Sequence, residues 1–396
     1  MIVLDDLCLN IVDCLHKTAP INELGNYFAV GTPAMRGNSI DYSLARRIDD
    51  ITFDEWTKRL RPRYGDLLLA REAPVGPVVR IPIEENVAPG QRTVLLRPDT
   101  AKVISDYLYY LLIAPEQQER LNQPVGGSTV AHLNVADVRS FRLPDVPPLM
   151  EQRRIAEVLG ALDDKIESNL RVRNLCRDLG GNLVADTVRS APSTQLEHYA
   201  ASISRGVTPQ YYKDEDTSPV LVLNQKCIRD GWVTPELARL MTPRAREKSQ
   251  AIARLDDLLV NSTGQGTLGR VARWDSDDPI YVDSHVTVVK ADPRRIYPVL
   301  MPYLVFPLQD EIEHMATGST GQTELSPSRL AQLNVPLLSL EEQRPLSARL
   351  VALEAQAHYC QVQSLKLTEL RDALLPELMS GRMRVDEAGC LVSEAL

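Results

Sequence analysis

Lys58, Arg59, Arg61 and Arg63 fall within six residues, between Trp56 and Tyr64. Arg244, Arg246 and Lys248 form a second basic cluster, and each cluster precedes a similar apolar run, GDLLLA and DDLLV. Guanidinium forks at this density can grip phosphate oxygens or a guanine edge bidentately. The bland reading is a solvated face whose charges pair with Asp54, Glu55 and Glu247. Recurrence at matching places favours the functional reading. Two polar loops recur as well: AREAPVG (70–76) beside NSTGQGTLG (261–269), and GGSTVAH (126–132) beside TGSTGQT (317–323). Their Ser, Thr, Asn and Gln side chains can reach phosphate oxygens or base edges. Ordinary turns have the same composition, but here the flanking strands are alike while the loop contents differ.

Catalytic constellations are absent from the sequence. There is no GxxxxGK[ST] phosphate loop, no HExxH and no GxSxG. STGQGTLG has closely spaced glycines, but its simplest role is a turn between the strands DDLLV and GRVARW. Acidic pairs such as Glu84-Glu85 and Asp256-Asp257 read as solvated turns. Six histidines and six cysteines are scattered without a CxxC pair, so no metal site is expected. Unpaired cysteines fit a reduced, cytoplasmic compartment. The first seventeen residues carry three aspartates and lack the basic start and unbroken apolar stretch of a secretory signal. No run of 18 apolar residues occurs, so no membrane span is expected.

The elements that must position these residues come in duplicate. Asp66 aligns with Asp257, Ser128 with Ser319 and Gln152 with Gln343, every pair 191 residues apart. A weaker match sets Thr32-Pro33 opposite Thr208-Pro209. Two copies are too few for a solenoid, which needs three or more, so this is a duplicated module. The length of 396 residues accommodates two to three domains. In each copy a strand-rich region comes first, with β-branched runs such as RTVLLRP and YVDSHVTVVKA bounded by Pro and Gly. A helical segment follows. Ile155, Val158, Leu159, Leu162, Ile166 and Leu170 trace one helical stripe. Leu346, Leu350, Leu353, Ala357, Cys360, Leu367 and Leu374 trace a heptad, starting at Pro345 and ending near Pro376 and Gly381. Gly180-Gly181 should end or bend the first helix. Each helix then runs about 30 residues, roughly 45 Å at 1.5 Å per residue. The expected fold is mixed α/β (α+β): two pseudo-repeated domains joined by two long helices packed as an antiparallel coiled coil. The alternative is that each helix packs on its own domain.

At this point the residues resemble a known family. PPLMEQRRIAEVLGALDDKIESN (147–169) and LSLEEQRPLSARLVALEAQ (338–356) are similar to the two helical regions of specificity subunits of Type I restriction–modification systems. LLPELMSGRMRV (374–385) resembles the tail of the distal helix, and GDLLLAREAPVG, VLVLNQKCIRDGWV and TGSTGQTEL resemble target recognition domains. The resemblance implies a chain that is not itself an enzyme. It implies two modification (methyltransferase) subunits with an S-adenosylmethionine site, and restriction subunits using ATP and Mg, as partners on double-stranded DNA. It implies these regions: a segment 1–17, a first recognition domain 18–150, a central helix 151–190, a second recognition domain 191–340, a distal helix 341–385 and a tail 386–396. The candidate DNA contacts are then Lys58, Arg59, Arg61, Arg63, Tyr64, Arg71, Ser128, Thr129 and His132 in the first copy. In the second they are Gln225, Lys226, Arg244, Arg246, Lys248, Asn261, Ser262, Thr263, Gln265, Thr267, Arg270, Ser319, Thr320 and Gln322. Ile155, Leu159, Leu162, Ile166, Leu346, Leu350, Leu353, Leu367 and Leu374 are the expected helix-packing positions. A bivalent scaffold that binds proteins and no DNA is the competing reading.

Charge sharpens the expectation. The chain has 44 basic against 53 acidic residues, a net charge of −9, and no region of it is basic overall. Attraction to DNA must therefore come from small arginine clusters and from basic partners, so the isolated chain should bind weakly or not at all.

Overall fold

A computed structural model describes residues 1–123, 132–212, 218–242, 249–316 and 324–396. The chain forms two compact units, one of Met1–Ser168 with Gln363–Leu396 and one of Asn169–Val362.

The first unit is organised by a four-stranded antiparallel sheet, in the order Cys8–Asp13, Thr93–Pro98, Leu67–Arg71, Val75–Arg80. Every residue of Leu67–Arg71 is buried, and the two-residue period of a strand explains how. Leu67 and Leu69 point to one core, with Val94, Leu96, Tyr110 and the helix residues Leu159 and Leu162. Leu68 and Ala70 point to the other face, with Val30, Met35, Val79 and Leu95. A three-stranded sheet, in the order Arg46–Ile48, Tyr27–Val30, Val87–Pro89, and the hairpin Met35–Arg36/Ser39–Ile40 complete the unit. The opening residues are part of this fold, not a separate segment of 1–17. Ile2–Val3 pairs with Arg142–Leu143, Cys8–Asp13 is an edge strand, and Leu4, Leu7 and Ile11 are buried.

The second unit repeats the plan. Its four-stranded sheet runs Ala200–Arg205, Val286–Ala291, Leu258–Asn261, Val271–Arg273, the same order and directions. Beside it lie the sheet Arg239–Met241, Val220–Leu223, Ile280–Val282, Ile252–Ala253 and the hairpin Ile228–Arg229/Trp232–Val233. The turn Gln225–Cys227 follows Val220–Leu223 as Thr32–Ala34 follows Tyr27–Val30. Thr32 therefore corresponds to Gln225, and the match of Thr32-Pro33 to Thr208-Pro209 does not hold.

Two helices of 40 residues each, Leu149–Val188 and Leu340–Met379, run through both units. In the first unit Ile155, Leu159 and Leu162 share a core with Leu367 and Leu374, and Ile166 packs at its edge. In the second, Val184 shares a core with Leu346 and Leu350, and Leu353 is half-buried. The start of one helix thus meets the end of the other, the antiparallel pairing expected, and each half also closes its own unit's core. Both helices exceed the expected 30 residues. Leu340–Met379 begins before Pro345 because Ser339 and Glu342 cap it reciprocally. Gly381, at φ +71°, ends it beyond Pro376. Gly180-Gly181 does not end the first helix. A Cβ on Gly180 would lie 2.6 Å from the Tyr303 ring, so this glycine serves close packing. The last residues are not a free tail: Val385–Ala395 is a helix whose Val385, Ala388 and Val392 are buried in the first unit.

Candidate nucleic-acid interface

Each unit gathers polar side chains at one end of its four-stranded sheet, where Leu67–Arg71 and Leu258–Asn261 finish. In the first unit the backbone of Arg71 accepts from Leu133 N–H at 3.0 Å and donates to Arg92 C=O at 2.9 Å. In the second, Ser262 accepts from Leu325 N–H and donates to His285 C=O, both at 2.9 Å. Arg92 and His285 therefore occupy the same place, 193 residues apart. One residue further on, Glu72 bridges to His132 and Thr263 to Glu324. AREAPVG, NSTGQGTLG and the described end of GGSTVAH, His132, meet at these rims, whereas TGSTGQT lies outside the described residues.

The same backbone carries different chemistry. In the first unit Glu72 lies between Arg92 Nε at 3.6 Å and His132 Nδ1 at 3.5 Å. In the second, Thr263 Oγ1 bonds His285 Nδ1 at 2.7 Å and donates to Gln225 Oε1 at 3.4 Å. Arg71 has its side chain 7% exposed; it faces Asp13 Oδ1 at 3.3 Å and a His16 ring nitrogen at 3.1 Å, and donates to Leu133 C=O at 3.1 Å. Arg205 does the equivalent work in the second unit, donating to Leu325 C=O at 2.8 Å and pairing with Glu324. Asp13, Cys14 and His16 bring potential metal-ligand atoms within 4.8 Å of one another. The Arg71 guanidinium already sits against two of them, and a fixed cation there opposes a metal ion.

NSTGQGTLG is the expected turn, between Leu258–Asn261 and Val271–Arg273. Asn261 is fully buried and shapes it, donating from Nδ2 to Gln225 C=O at 2.9 Å and Thr267 C=O at 3.0 Å. Gly264, at φ +106°, admits no side chain, since a Cβ would meet Thr267 Oγ1 at 2.3 Å. Ser262 is also buried, bonded to Thr287 at 2.5 Å. Arg270 donates to Gly266 C=O at 2.8 Å. Gln265 and Lys226 are exposed. Nearby, burial raises the Asp283 carboxyl above its ordinary range, against the backbone N–H of His285, which lowers it. As contacts for a ligand, Arg71, Asn261 and Ser262 are corrected: their side chains are buried and committed to the loops' own backbone or to neighbours beneath them.

Of the first basic cluster, Arg61 stands away from this rim and Arg59 reaches towards it. Arg61 C=O accepts from Arg97, which also holds Asp66 at 2.7 Å, before the strand Leu67–Arg71 begins. At about 3.3 Å per residue, that is roughly 15 Å from Arg71. Arg61 is paired with Asp54 at 3.1 Å and lies over the Phe53 ring, so the bland reading describes it. Arg59 reaches the other way, donating to Asp13 C=O at 3.2 Å and Cys14 C=O at 3.3 Å. Lys58, Arg63 and Tyr64 are exposed. Ser128, Thr129, Arg244, Arg246, Lys248, Ser319, Thr320 and Gln322 lie outside the described residues. Sequence reasoning missed Glu72, Arg92, Arg205, His285 and Glu324. A search at a separation of 193 as well as 191 would have paired Arg92 with His285.

Residues 23–174 match the Type I restriction modification DNA specificity domain. The Type I restriction enzyme MjaIX specificity subunit of Methanocaldococcus jannaschii is 33% identical over 125 residues, covering 31% of this chain and 27% of that subunit's length. In fold, the chain resembles the Type I restriction–modification S subunit from M. genitalium, with a TM-score of 0.57 at 16% identity over 95% of both chains. The HsdS subunit from Thermoanaerobacter tengcongensis aligns over 96% of both chains at 18% identity, with a TM-score of 0.36. The family likeness thus rests on residues 23–174, and the likeness in fold extends over 95% of the chain.

Proposed function

We propose that the chain is the DNA sequence-recognition subunit of a Type I restriction–modification complex, reading a bipartite target with one half-site per unit. The observation that carries this reading is the duplicated rim. Glu72, Arg92 and His132 in one unit stand where Thr263, His285 and Glu324 stand in the other. Equal backbones with unequal donors and acceptors suit two readers of different sequences. Exposed His132, Lys226 and Gln265, with half-buried Gln225, Thr263, Thr267 and Arg270, would supply the base-facing groups. Lys58, Arg59 and Arg63 would act on phosphates beyond them, and so would Arg244, Arg246 and Lys248.

The chain performs no catalysis on this reading. Modification subunits bring the methyltransferase and S-adenosylmethionine, and restriction subunits bring ATP and Mg chemistry, in the cytoplasm. Leu170, Leu175, Leu179, Val351, Tyr359 and Val362 leave apolar surface exposed on the long helices, which suits docking of modification subunits. No helix among the described residues is long and apolar enough to cross a membrane. A gel-shift series over salt concentration, with the modification subunit present, tests the proposal. Sequence-preferring binding with a steep salt dependence is expected. Partner binding without any affinity for DNA would instead leave a bivalent protein scaffold.

A further inference from the structure

The outer strands of the two smaller sheets, Arg46–Ile48 and Arg239–Met241, pair on one side with Tyr27–Val30 and Val220–Leu223. On the other side both are met by loop residues, Asn22 N–H donating to Arg47 C=O and Tyr212 N–H to Leu240 C=O. Both are entered by the same tripeptide, Leu44-Ala45-Arg46 and Leu237-Ala238-Arg239, 193 residues apart. Both arginines are exposed, and neither has a carboxylate at ion-pair distance among the described residues. Arg46 Nη1 donates to Ala19 C=O at 3.4 Å, and Arg239 stacks over Tyr211 at 4.0 Å. The two guanidiniums thus lean on corresponding segments of chain and keep most of their donors free.

Around Arg46 the surface is concave. A depression of about 650 Å³ is lined by Phe28, Tyr42, Arg46 and Arg47, with Glu23 its single acidic residue. A second, of about 170 Å³, is lined by Thr18, Gly31, Arg46, Gly90 and Gln91. Arg46 lines both, and Gln91 adjoins Arg92 at the rim. A path therefore runs from Arg47 and Arg46 to the residues proposed to read bases. Arg61 offers nothing similar, because Asp54 neutralises it.

We propose that Arg46 and Arg239 are corresponding phosphate contacts, each gripping the DNA backbone beside the half-site its own unit reads. This rests on the recognition reading above. An uncommitted guanidinium on a rigid strand loses little freedom on binding and releases a counterion. The competing role is protection of an edge strand against pairing with another chain.

The test uses the assembled complex with its modification subunits and a duplex carrying the motif mapped from methylated bases. Arg46→Gln and Arg239→Gln should each lower the slope of log affinity against log salt by about 0.9. Binding should weaken alike on cognate and half-site-altered duplexes, the methylated motif should not change, and Arg46→Lys should restore the slope. An unchanged slope in both glutamine variants would overturn the proposal, as would self-association with normal DNA binding, which is the edge-protection outcome. A wild-type complex with no sequence preference would instead overturn the recognition reading. If a glutamine variant misfolds, Arg46→Lys and Arg239→Lys decide the matter: a slope lowered by a charge-preserving change contradicts a phosphate contact.

Discussion

In the first unit the carbonyl of Leu133 is held by Arg71, which projects from the strand Leu67–Arg71; in the second, the carbonyl of Leu325 is held by Arg205, from the strand Ala200–Arg205. The clamped atom is the same in both places, but the cation arrives from different strands. Deeper in, nothing is exchanged. Gln152 and Gln343, 1% and 0% exposed, make the same three bonds. Each accepts a backbone N–H, from Ile104 or Tyr297, and donates to two carbonyls, those of Lys102 and Pro147 or Arg295 and Leu338. Asp66–Arg97 recurs as Asp257–Lys290, and Tyr110–Asp163 as Tyr303–Glu354. A buried polar group that loses its partner bears the full desolvation cost, about 1–3 kcal/mol, so both copies keep their partners. At the solvated rim that cost falls, and the two copies diverge.

The comparison breaks if the clasps are unequal. Gln152→Leu and Gln343→Leu should each destabilise by about 3 kcal/mol, because each orphans several buried backbone groups. Denaturant unfolding checks this, and a loss below about 1 kcal/mol in either would contradict the shared role. Next come the clamps. Arg71→Ala and Arg205→Ala should each cost about 2 kcal/mol and should relax one half of the methylated motif, a different half for each. Relaxation of the same half by both would refute the equivalence.

Glycine tests the comparison at the helices. Position 180 corresponds to position 371, where Arg371 bonds Asp163 at 2.9 Å in the first unit. Gly180→Ala should destabilise by about 2 kcal/mol through its clash with Tyr303. Gly181→Ala, with nothing within 4 Å of its Cβ, should stabilise by about 0.5 kcal/mol. Opposite signs in thermal melts are the expected result.

The smallest effect concerns pH. Hydrogen bonds from Arg294 hold the Asp292 carboxyl down to about 2. Its folded value lies below the unfolded one of about 3.9. The stabilisation is therefore present above pH 4 and is lost as pH falls through 2. Asp292→Asn should flatten acid destabilisation in that window, and an unaltered acid melting profile would count against the pair.

Much of this architecture was legible in the sequence. The duplication showed in Asp66/Asp257 and Gln152/Gln343, and the helix stripes at Ile155–Ile166 and Leu346–Leu374 are the seams that pack. Two things hid the rest. The separation of corresponding residues shifts between 191 and 193, because the turn after Leu258–Asn261 is longer than the one after Leu67–Arg71. That shift concealed Arg92/His285 and Tyr110/Tyr303, and Arg46/Arg239, ahead of that turn, also lie 193 apart. Side-chain direction was the other obstacle. Arg71, Asn261 and Ser262 read as loop contacts from composition, but strand alternation and local backbone acceptors turn them inward. Gly180-Gly181 read as a helix end because the Tyr303 ring that requires it lies more than a hundred residues away.

On the proposed function, the net charge of −9 should make the isolated chain a poor DNA ligand, so sequence reading is best sought in the assembled complex. Genome-wide mapping of methylated bases, in cells with and without this gene, tests the central claim most directly. The account predicts a split motif, two specific halves around an unread spacer, that is present with the gene and vanishes without it. An identical methylation map in both cells would contradict it.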